Sequence, residues 1–515
     1  MIGTTRRRSY DGTARTGYVL VAVLIVVVVL SLTAYQFTEM MTAEHRAAAR
    51  SNDAAQVRMA ASSGVHYAAA MLADPTSLNG QVGGNPYVAG AFTPQTVRAA
   101  GNSGAEARFA LVAAANTGSG TYEQRFGAVT DESAKLNINA LIQLDPSGEQ
   151  LYAALMKLPN MTADVADAIV DWVDPDDDSR TSGAESSYYQ GLGQPYRAKN
   201  GPLNTLDELL LVRGVTPQFL FGNDRNRNGL ADDDPNGAQA FDRGLGDFLT
   251  VYGRELNVDS TGVLRVNVNE SEDLPGLHQK LTARVGPDLA DYILAYKLFK
   301  TSTPAAAPPP TTVTGGPAEL STAVSATLGT LPINRRRLKS VLDLINTQVT
   351  LPTAGIPNAP TVVVPSPLND PVKLASLLAT LMDATTTTTS VELSPRVNVN
   401  TAPREVLVAI PNMTEADADI IIARREGQNP TDPATVSGAW LLGAGGMNPT
   451  VFKSIEKYVT GRTMVYRVQS IGYFAKGGPV ARAEAVIDTN QGAPRILYFR
   501  DLTDLDSPRG FEPPR

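Results

Sequence analysis

The chain contains no cysteine and only three histidines in 515 residues. Without cysteine no disulfide can brace it, so each folded part is held by burial, hydrogen bonds or metal ions. The histidines, His45, His66 and His278, fall at no metal-ligand spacing and accompany no nucleophile motif, which leaves them surface or packing roles and gives catalysis no support. Tryptophan is scarce as well: Trp172 and Trp440, in corresponding helical regions, read as core anchors. Positive charge is in deficit, with 44 Lys and Arg against 52 Asp and Glu, so the basic surplus of a general nucleic-acid binder is missing.

What the chain does have is one long apolar run. It is unbroken from Tyr18 to Leu30 and continues past Ser31 and Thr33 to Ala34, Tyr35 and Phe37, about the 20 residues a helix needs to cross a bilayer. Arg6, Arg7, Arg8 and Arg15 precede it with only Asp11 opposing them, which keeps the leader cytoplasmic and exports everything after Tyr35. A secretory signal is cut after its apolar segment. Here Gly17 stands directly before it; an uncleaved anchor, or cleavage near Leu32-Thr33-Ala34, are the alternatives, and neither accounts for Gly17. No proline follows until Pro75, and the stretch from Glu39 to Leu72 is rich in good helix formers. One helix of about 55 residues, about 80 Å long, is predicted. Met59, Ser63, His66 and Ala70, with similarly spaced Ala and Val, offer its second half a small-residue face for packing on a sheet.

The exported part repeats itself. Lys135-Leu136-Asn137-Ile138-Asn139, Arg265-Val266-Asn267-Val268-Asn269 and Arg396-Val397-Asn398-Val399-Asn400 share one pattern, with first asparagines 130 and 131 positions apart. A helical segment carrying Ala-Asp follows each, at Ala166-Asp167, Ala290-Asp291 and Ala418-Asp419. Leu158-Pro159-Asn160-Met161-Thr162 and Ile410-Pro411-Asn412-Met413-Thr414 are nearly one helix-entry sequence, with threonine at the cap. Such self-similarity indicates duplicated helical units. Within the middle copy, Thr301 to Gly316, Leu351 to Pro367 and the run Thr385 to Thr389 read as linkers or surface excursions.

Met464 to Phe474, Ala481 to Asp488 and Arg495 to Phe499 alternate with period two and are separated by turn signals, as three strands would be. An earlier pair is predicted around Arg108 to Ala114 and Tyr122 to Val129. The fold class is therefore α+β: a long N-terminal helix and an antiparallel sheet, interrupted by a large α-helical insertion. The divisions are a leader at 1–17, the membrane part of the long helix at 18–37, its exported part at 38–74, a first sheet portion at 75–133, helical repeats at 134–263, 264–394 and 395–461, closing strands at 462–505 and a tail at 506–515.

Two acidic stretches are candidate calcium sites. Asp224, Asn226, Asn228, Leu230 and Asp232 fall at positions one, three, five, seven and nine of a loop with Gly229 at six, as in a calcium loop; Pro235 stands where a bidentate Glu is expected, and Asp233, Asp234 or Asp242 are the substitutes. Asp174, Asp176, Asp177, Asp178 and Glu185 form the second cluster. For each, a solvated acidic turn is the competing reading.

A basic leader, Gly17 and then Tyr18 opening a long helix resembles the type IV prepilin signal, which implies cleavage between Gly17 and Tyr18 by a prepilin peptidase and N-methylation of Tyr18. Most pilins and pseudopilins carry Glu at mature position five; here it is Ala22, and a lone carboxylate inside the bilayer is costly. Loss of that Glu characterises the K subunit among type II secretion minor pseudopilins. Phe126-Gly127-Ala128-Val129-Thr130-Asp131-Glu132 leading to Asn137, then Asp171-Trp172-Val173-Asp174-Pro175-Asp176-Asp177, Gly183-Ala184-Glu185 with Tyr188-Tyr189, and Asn200-Gly201-Pro202-Leu203 are similar to that family, and the repeats look like helix-hairpin-helix or SAM-like modules. The resemblance covers most of 1–250 and 392–505; residues 264–391 look like an extra copy.

It implies a minor pseudopilin that initiates or caps a periplasmic pseudopilus tip, without chemistry of its own. It further implies a single-pass inner-membrane protein with a cytoplasmic N-terminus, whose partners are I- and J-type minor pseudopilins, the pseudopilus, prepilin peptidase and, more loosely, secreted proteins. The resemblance to calcium-binding K subunits supports both acidic sites. The alternative is a minor pilin of a type IV pilus or DNA-uptake system whose hairpins bind DNA. The hairpins at 159–162 and 411–414 lack paired glycines and lead into acidic residues, which repel phosphate, so no nucleic-acid partner is expected.

Overall fold

The computed structural model describes residues 3, 5, 16–73, 92–99, 106–116, 122–227, 242–304, 312–328, 336–352, 360–429, 432–443, 446–490 and 493–505. Helix α1, Thr16–Ala73, runs 58 residues without a break. Its front half, from Gly17 to Asn52, is exposed throughout, and it is the one helix among the described residues long and apolar enough to cross a membrane. Its second half docks. Val57, Ala61, Val65, Ala68 and Leu72 form one stripe at helical spacing and bury against Phe109, Leu111, Tyr466, Val468, Ala485 and Ile487 of a sheet.

This is not the face read from the sequence: Met59, His66 and Ala70 point to solvent and Ser63 is half-buried. With small side chains all round this part of the helix, its composition did not separate one face from another. The sheet makes the choice by offering Gly472, where an added Cβ would lie 2.0 Å from the Val57 carbonyl.

The sheet is antiparallel. Its strands are β1 (Gln95–Arg98), β2 (Ala107–Asn116), β3 (Tyr122–Phe126), β4 (Thr130–Asp131), β5 (Val465–Phe474), β6 (Ala481–Asp488) and β7 (Arg495–Asp501). They lie in the order β1-β2-β5-β6-β7, with β3 also on β2 and β4 on β5. The period-two segments thus became strands, and the α+β class holds, with the long helix on one sheet face.

Between β4 and β5 the chain makes a helical body with one continuous apolar core. Each asparagine motif opens a segment of it as a two-residue parallel ladder. Leu136–Asn137 pairs with Leu249–Thr250, Val266–Asn267 with Thr385–Thr386, and Val397–Asn398 with Val459–Thr460. The first asparagine accepts a nearby amide: Asn137 Oδ1 from Ala140 at 2.9 Å, Asn267 Oδ1 from Asn269 at 2.9 Å, Asn398 Oδ1 from Asn400 at 3.0 Å. The second reaches across its segment, Asn139 to both backbone groups of Leu203 and Asn269 to both of Leu338.

Asn400 does the same work with other partners, the carbonyls of Thr435 and Gly461 and the Trp440 indole. The leading basic residue is part of the interior too. Lys135 Nζ lies 4.0 Å from Glu132, Arg265 Nε donates to the Asp383 carbonyl at 3.0 Å, and Arg396 grips Glu255 with Nε at 2.8 Å and Nη2 at 2.5 Å.

The stretches read as linkers in the middle copy are partly built into a second sheet. Lys300–Ser302, Thr312–Thr314, Gln348–Thr350 and Thr361–Pro365 form four strands with Thr312–Thr314 parallel to Thr361–Val363. The Thr385–Thr389 run also is not a linker at its start: Thr385 and Thr386 are buried in the ladder that closes this segment. Threonine is β-branched and its hydroxyl finds partners inside, as Thr385 Oγ1 does at the Leu381 carbonyl, 2.6 Å away. The second copy is therefore mixed rather than helical with loops.

Candidate functional site

The first segment carries a helix, Ala163–Val173, begun at Thr162 after a hairpin in which Asn160 has a φ of 59°. Asp167 and Asp171 lie one turn apart on it, and Asp174 ends it. The loop that follows returns over this face. Arg180 Nε donates to Asp167 Oδ1 at 2.9 Å, the Arg180 amide to Asp171 at 3.2 Å, and the Ser182 amide to Asp167 Oδ2 at 3.1 Å. Gly183 passes so close that an added Cβ would lie 1.8 Å from Asp171 Oδ2. Two residues later Glu185 turns inward.

Asp171, Asp174 and Glu185 consequently converge, each contributing a carboxylate oxygen within 4.8 Å of the others'. All three are buried, at 0%, 4% and 2% exposure. Asp174 Oδ1 and both oxygens of Glu185 have no hydrogen-bond donor. Burial, together with Asp176 and Asp171, pushes the Asp174 carboxyl up to about 7. Burial, with repulsion from Asp171 and Asp174, pushes Glu185 up to about 8, and burial raises Asp171 as well. Arg180, which acts on Asp174, is already bound to Asp167 and, at 2.9 Å, to Glu149. A set of buried oxygens short of positive charge suits a hard cation such as calcium, whose ligands are carboxylates and carbonyls.

Of the sequence candidates, Asp174 and Glu185 come together here; Asp176 and Asp178 stay exposed on the loop. Asp177 is exposed too, with its Oδ1 3.3 Å from Asn200 Nδ2. Asp171 was missed. The available signal was its spacing of three from Asp174, which on a helix puts both carboxylates on one face.

In the other acidic stretch, Asn228, Leu230, Asp232 and Asp233 lie outside the described residues. Its first residues, including Asp224, lead the chain onto the sheet: Asn226 is buried, and Arg482 on β6 donates to the carbonyls of Asn226 at 2.9 Å and Arg227 at 2.8 Å. Gly17 and Tyr18 sit in the first turns of α1, with Tyr18 exposed.

The two Pro-Asn-Met-Thr hairpins lie beside one another, with Asn160, Thr162, Asn412 and Thr414 exposed. Lys157, just before the first, donates to the carbonyls of Val408 and Met413 at the second, both at 3.0 Å. First and third segments therefore meet hairpin to hairpin.

Residues 134–220 and 397–443 match family models described as Type II secretion system (T2SS), protein K. Both stretches are similar to protein K of the type II secretion system. The matched stretches fall in the first and third segments of the body, and the middle segment lies between them. The Type II secretion system protein K of Aeromonas hydrophila is 33% identical over 110 residues, which is 18% of this chain and 33% of that relative, so the likeness spans about a third of the relative's length. A chain of the solved GspK-GspI-GspJ complex from the type 2 secretion system of enterotoxigenic Escherichia coli aligns with 89% of this chain and 99% of its own, at 12% identity. Its TM-score is 0.34, a level from which neither fold nor assembly follows. The acidic trio lies within the first matched stretch.

Proposed function

We propose that this chain is a minor pseudopilin that initiates or caps the tip of a periplasmic pseudopilus in a type II secretion system. The observation that carries the reading is the insertion of segments that match protein K into a sheet that rides on a 58-residue helix with a bare apolar run at 18–37. The run at 18–37 is the membrane anchor, with the Arg-rich leader on the cytoplasmic side and the body in the periplasm. After cleavage between Gly17 and Tyr18 and methylation of Tyr18, the exposed helix packs among the helices of sister subunits, the I- and J-type minor pseudopilins. Ala22 in place of an acidic residue suits a subunit with none ahead of it, and the wide body blocks further addition. The role is assembly for protein export, with no reaction of its own.

The three segments of the body are helix-hairpin-helix or SAM-like modules, at 134–263, 264–394 and 395–461. In the first, Asp171, Asp174 and Glu185 would hold a calcium ion that neutralises their charge and pins the 174–185 loop; the stretch from Asp224 to Asp233 is a second candidate. A DNA-uptake role gains nothing from hairpins that face one another.

Mass spectrometry of the mature N-terminus tests the scheme. A chain starting at methylated Tyr18 is expected; one starting at Met1 or Tyr35 sinks it. For the tip role, a variant lacking residues 134–460 should enter the filament along its length. Its failure to enter anywhere would refute the steric account.

A further inference from the structure

The body is joined to the sheet by two chain crossings, and they lie side by side. The chain leaves at β4 and returns at β5, which pair antiparallel with Asp131 opposite Tyr466 and Thr130 opposite Arg467. Two adjacent strands make a natural hinge axis, about which a large body would swing unless something locks it. Two neighbouring carboxylates sit on that axis, Asp131 and Glu132, both at 0% exposure.

They face different segments. Asp131 Oδ2 accepts from Asn398 Nδ2 at 2.9 Å and Thr401 Oγ1 at 2.5 Å, both at the opening of the third segment, and from Thr463 Oγ1 at 2.5 Å on the returning crossing. Its Oδ1 takes the Ser133 amide at 2.8 Å. Glu132 Oε1 accepts from Thr250 Oγ1 at 2.7 Å, at the close of the first segment, and from Arg467 Nη2 at 2.8 Å on β5. Its Oε2 takes Arg467 Nε at 3.1 Å and lies 4.0 Å from Lys135 Nζ. Farther out, Arg482 on β6 holds the carbonyls of Asn226 and Arg227, Arg500 meets Asp207 at 2.5 Å, and Arg254 meets Asp488 at 2.8 Å. Those are contacts at the rim of the seam; the pair at the axis binds both flanking segments at once.

We propose that Asp131 and Glu132 are positioning residues that lock the helical body at one fixed attitude on the sheet and its long helix, Asp131 by holding the third segment and Glu132 by holding the first. A carboxyl group suits this task because it accepts several hydrogen bonds from different directions, and the bonds between Glu132 and Arg467 are charge-assisted, roughly twice as strong as neutral ones. The sequence Thr130-Asp131-Glu132 before the first asparagine motif thereby acquires a purpose apart from helix capping. This inference concerns the joint and stands whether or not the chain is a tip subunit.

The test uses the full-length protein in detergent, which has no native cysteine to interfere with labelling. Nitroxides at Met59→Cys on α1 and Val372→Cys on the body, both exposed, report the attitude of one on the other by pulsed electron resonance. A second pair, Tyr188→Cys with Val372→Cys, reports on the body alone. The unaltered joint should give one narrow distance across the seam. Asp131→Ala with Glu132→Gln, and separately the near-isosteric Thr401→Val with Thr463→Val, should lose that single distance while the pair within the body keeps its own. A narrow seam distance in these variants overturns the proposal, and so does equal broadening within the body, which would mean general loosening.

Discussion

Asn139 and Leu203 exchange two hydrogen bonds, Asn139 Nδ2 to the Leu203 carbonyl at 2.9 Å and the Leu203 amide to Asn139 Oδ1 at 2.8 Å. Asn269 and Leu338 repeat the arrangement at 2.8 and 2.9 Å. Asn139→Ala removes both bonds and strands two half-buried backbone groups, so a loss of about 2–3 kcal/mol is expected. Asn269→Ala should cost about as much. Denaturant unfolding of the two variants checks this, and a loss confined to one would break the equivalence of the segments.

Calcium should raise the melting temperature of the full-length protein, with about 2.7 kcal/mol of stabilisation at a hundredfold excess over the dissociation constant. Asp171, Asp174 and Glu185 predict that Glu185→Gln and Asp174→Asn each abolish most of that response. Because these substitutions also relieve repulsion among buried carboxylates, they should make the metal-free protein more stable. Thermal scans with calcium and with chelator separate the two effects; unchanged calcium sensitivity in both variants would remove the trio as a site.

The joint gives opposite pH signatures to two adjacent residues. Burial lifts Asp131 to about 6 against the pull of Thr401, Thr463 and Asn398. Its stabilising share is then full below the ordinary aspartate value and is lost as pH rises through 6. For Glu132 burial acts upward, but Arg467 and Lys135 outweigh it and hold the carboxyl at about 2, so its share is present above the ordinary glutamate value and is lost as pH falls toward 2. Between pH 4 and 7 the stability advantage of the parent protein over Asp131→Asn should therefore shrink, by roughly 3 kcal/mol. A gap that widens over that range would contradict the assignment.

The middle segment enters and leaves through one antiparallel pair, Glu255–Leu256 with Glu392–Leu393, extended by the Asn257 amide to the Val391 carbonyl at 2.8 Å. Buried Arg462 in the neighbouring crossing is held by that segment, through the carbonyls of Val258 at 2.6 Å and Asp259 at 3.1 Å and through Asp383 at 2.5 Å. In the full chain Arg462→Met should destabilise by about 1–3 kcal/mol, because it leaves partly buried Asp383 with Ser260 but without its cation. Where residues 258–390 are replaced by a short Asn-Gly turn, the same substitution should cost much less, since Val258, Asp259 and Asp383 are gone and only Glu255 still faces the arginine. Thermal unfolding of the four chains tests the difference; an equal loss in both backgrounds would refute it.

The long helix was legible because an apolar run followed by proline-free helix formers has few other solutions, and the strands at Val465–Phe474 and Ala481–Asp488 because alternation fixes their period. The asparagine motif was visible as a repeat, but its meaning lies in contacts across more than sixty positions, as from Asn139 to Leu203. Asp171 stayed hidden for a similar reason. A string of aspartates looks like a solvated surface until the loop through Gly183 folds back and buries three of its neighbours' charges together. The stripe through Val57 and Val65 was misjudged because in α1 small residues surround the axis, and only the glycine of β5 decides which side approaches.

Between the end of the apolar run at Phe37 and Asn52, just before its docked part, the helix stands alone as a bare rod. At 1.5 Å per residue the whole of α1 is about 87 Å long. A tilt of about 20° in the bilayer, ordinary for a single span, would swing its far end sideways by roughly 30 Å. The rod is thus a lever with its fulcrum in the lipid. Whatever grips its first turns sets where, tens of ångströms away, the sheet and everything mounted on it comes to rest.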